Sequence, residues 1–164
     1  MNEALHESVE DIVLRLLVAA VIGGLIGFER RAHHKAIGVA GMMLIAVGSS
    51  TYMLLAKHLA AVDPASISRC VQGLLSGIGF FGGATIFKSG ADIRGIKAAA
   101  AVWITGAIGL AIGTAYWWLG ATVGLVTIGI LWTADAFPDP VREEKLEDGP
   151  ERGETASPGM RKTQ

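Results

Sequence analysis

The sequence predicts an all-α, polytopic membrane protein: about five transmembrane helices joined by glycine-rich packing. Three observations carry this prediction. Of 164 residues, 51% are hydrophobic and 22 are glycine, a balance unlike that of an ordinary soluble domain. Charge is distributed unevenly: the 123 residues from Ile12 to Ala134 hold 12 charged side chains, whereas the last 30 hold 13. A soluble surface is normally about a quarter to a third charged. The sparsely charged region also divides into apolar runs near the ~20 residues, with ~17 as a practical minimum, that cross a bilayer as a helix.

The first run, Ile12 to Phe28, is interrupted only by Arg15. Glu7, Glu10 and Asp11 precede it and Arg30 and Arg31 follow, the reverse of a signal peptide's charge order, so it reads as a retained helix. The second, Ala36 to Ala56, is uncharged, and a third spans Cys70 to Phe87. The last run, Ala98 to Ala134, carries no charge in 37 residues. It divides near Tyr116, Trp117 and Trp118, because aromatic residues favour the headgroup level. Residues 1–134 thus form the membrane domain. The tail, 135–164, has four prolines and both signs of charge and is expected to be a disordered, charged cytoplasmic segment.

Lys and Arg near the helix ends set orientation. Arg30, Arg31, Lys35, Lys88, Arg94, Lys97, Arg142 and Lys145 fall on one side, against Arg15, Lys57 and Arg69 on the other. This places the N-terminus outside and the tail in the cytoplasm. A net charge of −1 gives no electrostatic case for nucleic-acid binding. The single cysteine, Cys70, excludes an intrachain disulfide and a cysteine metal cage.

Glycines recur four residues apart at Gly23 and Gly27, Gly73 and Gly77, Gly79 and Gly83, Gly109 and Gly113, and Gly120 and Gly124. Such pairs share a helix face and let another backbone approach closely. Packing within one chain is one reading; a homodimer seam or unwound backbone lining a site is the other. Four glycines within Gly77–Gly83 weaken a helix, so a kinked or broken third helix is also an expectation, provided its freed carbonyls face protein or water.

The segments Gly23–Arg30, Arg69–Phe80, Arg94–Gly95 and Trp103–Gly109, in this order and spacing, resemble the MgtC/SapB membrane domain over roughly Ile12 to Ala134. The resemblance implies a bacterial inner-membrane protein linked to growth at low magnesium, virulence and acid stress. For some members it implies binding to F-type ATP synthase, with transport as a different activity. The chain departs from the family pattern in three places. Gly38-Val39-Ala40-Gly41-Met42 stands where the family usually reads Gly-Leu-Arg-Thr, Gly82-Gly83-Ala84 where it reads Gly-Ala-Gly, and Gly95-Ile96-Lys97-Ala98 where Gly-Leu precedes two polar residues. Thirty tail residues also cannot supply the soluble domain of longer members.

The remaining chemistry rests on a few polar residues. Glu29 and Arg30 directly follow helix one, and Asp92, Arg94 and Lys97 fall on the same side; Glu29 reads either as a solvated charge at the interface or as a carboxylate that meets a cation from the other cytoplasmic loop. Arg69 and Gln72 open helix three one turn apart. Their alternatives are a shared cavity or, respectively, snorkelling to headgroups and an interhelical hydrogen bond. Arg15, four residues after Asp11, reads as a local ion pair. His33 and His34 stand among Arg30, Arg31 and Lys35, which disfavours a cation there. A metal would have Asp63 and the terminal acids Glu3, Glu7, Glu10 and Asp11, although Asp63-Pro64 reads first as a turn. No catalytic constellation and no cofactor are expected. Two functional classes follow: a regulatory protein that binds itself and another membrane complex, or a small transporter or channel for Mg²⁺ or another solute.

Overall fold

The computed structural model describes residues 8–32, 37–89 and 92–136. Five helices follow in order: α1 (Val9–Ala32), α2 (Val39–Ala60), α3 (Ser66–Gly83), α4 (Ile96–Gly113) and α5 (Trp117–Ala136). Between α3 and α4 lies an antiparallel ribbon of β1 (Phe87–Ser89) and β2 (Asp92–Arg94), with Phe87 opposite Arg94 and Ser89 opposite Asp92. The all-α expectation holds for the membrane region, and the ribbon is an addition to it. The described residues up to Trp132 form one compact unit. Beyond it only the end of α5 is described, so the tail expectation for 137–164 lies outside the described residues.

Local chemistry sets the helix ends. Ser8 Oγ accepts the Asp11 amide at 3.1 Å, and Glu10 and Asp11 occupy the first turn of α1, where the helix dipole favours acids. Lys57 and His58 occupy the last turn of α2, the complementary arrangement. Asp63 Oδ1 accepts the Ala65 amide at 3.0 Å and its carbonyl accepts the Ser66 amide at 2.9 Å, starting α3 earlier than the apolar run suggests. Gly95 precedes α4 at φ 95°, where a side chain is strained and a Cβ would also strike the Thr85 carbonyl.

The predicted break at Tyr116–Trp118 is a turn. The Ala115 and Tyr116 amides donate to the carbonyls of Ile112 and Ala111, both at 3.0 Å. Ala115 there holds φ 66°, a left-handed conformation unusual for a residue with a Cβ.

Helix α4 is the most enclosed, with Ala101, Val102, Thr105, Ile108 and Ile112 buried. It joins Ala19 and Ile26 of α1, Met42 and Ala46 of α2 and Ile78 of α3 in one core. Large apolar side chains also cover the outside, among them Leu14, Val21, Leu44, Leu55, Leu125 and Ile130. In water such a surface is untenable, but against lipid it costs nothing. Four helices, α1, α2, α4 and α5, are long and apolar enough to cross a membrane. Helix α3, which carries Arg69, Gln72 and three serines, is not among them.

The glycine expectation divides. On α1 and α4 the glycines make the seam: a Cβ on Gly23 would lie 2.6 Å from the Met42 carbonyl oxygen, and one on Gly27 would lie 2.5 Å from Val39 Cα. One on Gly113 would lie 2.7 Å from Met53 Cβ, and Gly109 abuts the Ala46 carbonyl. Gly120 and Gly124 seat α5 against Ile112 and Ile22. On α3 the reading as packing within one chain is not met, because a Cβ at Gly73, Gly77, Gly79 or Gly83 would meet nothing within 4 Å. Two unpredicted glycines carry its packing instead: Gly106 of α4 makes room for Ile78, and Gly82 lies against Ala99. Nor is α3 broken. It is one continuous helix from Ser66 to Gly83, since four glycines lower helix propensity without removing a backbone donor.

Candidate functional site

Polar side chains gather at three levels of the α1, α2 and α4 packing. The first level is where α1 ends and α2 begins. Glu29 and Arg30 follow the apolar run of α1, and both are buried, Arg30 to 1% exposure. The Arg30 Nε donates to the Ile37 carbonyl at 3.2 Å, tying the α1 end to the residue just before α2. Gly27 makes this possible by letting α1 lie directly against Gly38 and Val39. Burial of a carboxylate and a guanidinium next to the headgroup level demands pairing, and Glu29 and Arg30 both hold further interactions. Lys97, in the first turn of α4, is exposed; Asp92 and Arg94 lie on β2 at the same end of the unit, with side chains outside the described residues.

At the opposite level Arg15, nearly two turns into α1, is buried, and its Nη1 donates to the Gly113 carbonyl at 2.9 Å. Gly113 is the last residue of α4, so the guanidinium satisfies one of that helix's free carbonyls and meets the negative end of its dipole. This replaces the surface ion pair with Asp11 expected from the sequence. Gly113 also lets the backbones of α2 and α4 approach at Ser50 and Met53.

Between these ends the polar groups are hydroxyls. Ser49 and Ser50 of α2 are fully buried, and neither Oγ has a hydrogen-bond partner among the described residues. Thr105 of α4, also fully buried, donates to the Ala101 carbonyl at 2.7 Å, with Met42 Sδ at 3.6 Å. An unmade buried hydroxyl bond costs about 1–3 kcal/mol, which singles out Ser49 and Ser50 as candidate polar positions within α2. Sequence reading passed over both; an adjacent hydroxyl pair at the centre of a charge-free span was the available signal.

The remaining expected site residues lie apart from this column. Arg69 Nη1 meets Asp63 Oδ2 at 2.8 Å, with the two side chains 70% and 43% exposed. Arg69 is therefore paired at the surface, and Asp63 serves both that pair and the start of α3. Gln72 is exposed, with no side-chain hydrogen bond among the described residues, so the interhelical bond expected of it is not made. His33 and His34 lie outside the described residues.

The arrangement is that of a clamped helical unit. Both ends are fastened by buried arginines donating to backbone carbonyls, and the middle is closed by backbone-on-backbone packing at Gly23, Gly27 and Gly109.

Comparison with known proteins gives a consistent result. Residues 16–138 match the MgtC family. The chain is 32% identical over 127 residues to the Escherichia coli (strain K12) "Putative magnesium transporter YhiD", covering 74% of this chain and 59% of that one. It is 38% identical over 95 residues to Protein MgtC of Brucella abortus (strain 2308), covering 58% and 39%. With Protein MgtC of Salmonella typhimurium (strain LT2) it shares 32% over 121 residues, covering 73% and 51%. The chain thus spans from about two fifths to three fifths of the length of these curated relatives. No solved structure matches it. With four membrane-length apolar helices and a family match across all five, the chain is a multi-pass membrane protein that belongs to the MgtC family.

Proposed function

We propose that this chain is a non-enzymatic regulatory protein of the bacterial inner membrane. It acts in magnesium limitation and the related acid or virulence stresses by binding another membrane complex, with F-type ATP synthase as the candidate partner. The N-terminus lies outside and the tail in the cytoplasm, following the balance of Lys and Arg. The observation that carries this reading is the closed middle of the unit: α1, α2 and α4 meet backbone to backbone at Gly23, Gly27, Gly109 and Gly113. A bundle filled along its centre suits a protein that presents helix faces to partners better than one that passes solute through itself. The magnesium connection rests on family membership and on the name of the Escherichia coli relative.

A transporter for Mg²⁺ or another solute is the second reading. It is favoured by that same name and by the buried Ser49 and Ser50 hydroxyls, since polar groups at mid-span mark solute pathways in membrane proteins. One pair of experiments separates the two. The full chain is immunoprecipitated from membranes of magnesium-starved cells and probed for ATP synthase subunits, and purified chain in liposomes is assayed for Mg²⁺ flux. Recovery of the synthase without flux supports regulation; flux abolished by Ser49→Ala with Ser50→Ala, without recovery of the synthase, supports transport and refutes the leading reading.

A further inference from the structure

Helix α3 presents two unlike sides. Ile78 inserts at Gly106 and Gly82 lies on Ala99, which fixes the inward side against α4. The opposite side carries Arg69, Gln72, Gly73, Ser76 and Gly77, all exposed. Gly106 lies near the middle of the membrane-spanning α4, so Ile78 sits near the middle of the bilayer. At ~1.5 Å per residue, Ser76 and Gly77 lie within about 3 Å of that level and Gln72 about 9 Å outward. All three are inside a hydrocarbon half-thickness of ~15 Å. A primary amide and a hydroxyl therefore face lipid with no partner among the described residues, a position that hydrocarbon does not tolerate.

We propose that two copies of this chain pair in the membrane through this side of α3, about a two-fold axis along the membrane normal. Copies inserted in the same orientation meet the same residues at the same depth, so the surface must suit itself. It does so in three ways. The Gln72 amide carries both donor and acceptor, and two such amides across the axis satisfy one another. Gly73 and Gly77, one turn apart and open to the outside, let the backbones close to the distance that bond needs. At the outer rim Arg69 and Asp63 stand together, 2.8 Å apart and partly exposed, so each copy offers both charges to its counterpart. Apolar packing alone gives no reason to prefer a second copy to lipid; the polar complement does.

The test uses the full chain in lipid, with Cys70→Ser as background. Oxidative cross-linking is compared for Ser76→Cys, on the proposed axis, and Leu125→Cys, on the exposed side of α5. Ser76→Cys is expected to form a covalent dimer at least several-fold more efficiently. Adding Gly77→Leu should reduce that product about tenfold or more, while the melting temperature of dilute, detergent-solubilised protein stays unchanged, because a Cβ at Gly77 meets nothing within 4 Å in the single chain. Gln72→Leu should lower the dimer fraction, read by energy transfer between labelled copies at fixed protein-to-lipid ratio, by about threefold to tenfold. Equal cross-linking at both positions, a dimer fraction moved by neither Gly77→Leu nor Gln72→Leu, or capture of a different protein in place of a second copy by the Ser76→Cys variant in cell membranes overturns the proposal.

Discussion

Replacement of Gly23 by alanine tests the central seam most directly. The new Cβ would sit 2.6 Å from the Met42 carbonyl oxygen, 2.9 Å from Ala46 Cβ and 3.1 Å from the Met42 carbonyl carbon, where ordinary contact begins at 3.4 Å. Neither the carbonyl nor the Cβ of Ala46 can swing aside, so α1 and α2 must separate by several tenths of an ångström. Gly27, one turn on, is equally tight against Val39, and Arg30 fastens the end of the helix to Ile37, so a local shift spreads along the pair. Overpacking of this kind costs about 1–3 kcal/mol, and contact with backbone atoms that cannot give way puts this case at about 2–3 kcal/mol. Alanine returns part of it as helix propensity, about 0.8–1 kcal/mol, leaving a net loss of about 1–2 kcal/mol. Gly129→Ala supplies the comparison: on α5 its Cβ meets nothing within 4 Å, and only the propensity gain remains. Unfolding free energies of the two variants in bicelles, measured by titration with a denaturing detergent, should bracket the unmodified chain. A Gly23→Ala variant as stable as the parent, or two variants shifting alike, refutes the reasoning.

Arg15→Met should destabilise the chain by about 1.5–3 kcal/mol through loss of the charged hydrogen bond to Gly113, whereas Asp11→Asn should change it by about 0.5 kcal/mol or less; thermal melts in detergent that show equal losses contradict the capping role. Ala115→Gly should raise stability by about 1 kcal/mol, because glycine relieves the left-handed φ of 66°, and Ala115→Val should lower it in the same melts. A membrane-impermeant maleimide should reach Ser68→Cys, in the Cys70→Ser background, from outside intact cells, while a reporter fused after Gln164 should be active in the cytoplasm; the reverse pattern inverts the orientation.

Helix number and the division of the last apolar run were legible because lipid leaves a strong imprint on composition, and Tyr116–Trp118 supplied a physical reason to break there. The start of α3 was not legible from hydropathy, because Ser66, Ser68 and Arg69 are helical without being apolar, and Asp63 begins the helix through backbone hydrogen bonds. Glycine spacing predicted the Gly23, Gly27, Gly109 and Gly113 contacts. The same spacing at Gly73, Gly77, Gly79 and Gly83 meets nothing within the chain, since a period of four gives a shared face but not what lies opposite it. Glu29 and Arg30 were visible as charges ending an apolar run. Arg15 was misread because the sequence offers Asp11 one turn away, while its acceptor is a backbone carbonyl, which leaves no trace in residue identity. Ser49 and Ser50 were missed for a related reason: a buried serine in a membrane helix ordinarily bonds its own helix backbone, as Thr51 does to Val47 at 2.9 Å.

The Arg15 to Gly113 hydrogen bond joins residues 98 positions apart, which gives assembly an order in time. At ~5–20 residues per second of synthesis, Arg15 enters the bilayer about 5–20 s before its acceptor exists. Throughout that interval α1 carries a cation below the headgroups whose final carbonyl has not been made. That bond can form only after the fourth helix has been threaded, so a chain interrupted before α4 lacks the contact that ties its first helix to its fourth, and completion of α4 is the event that supplies it.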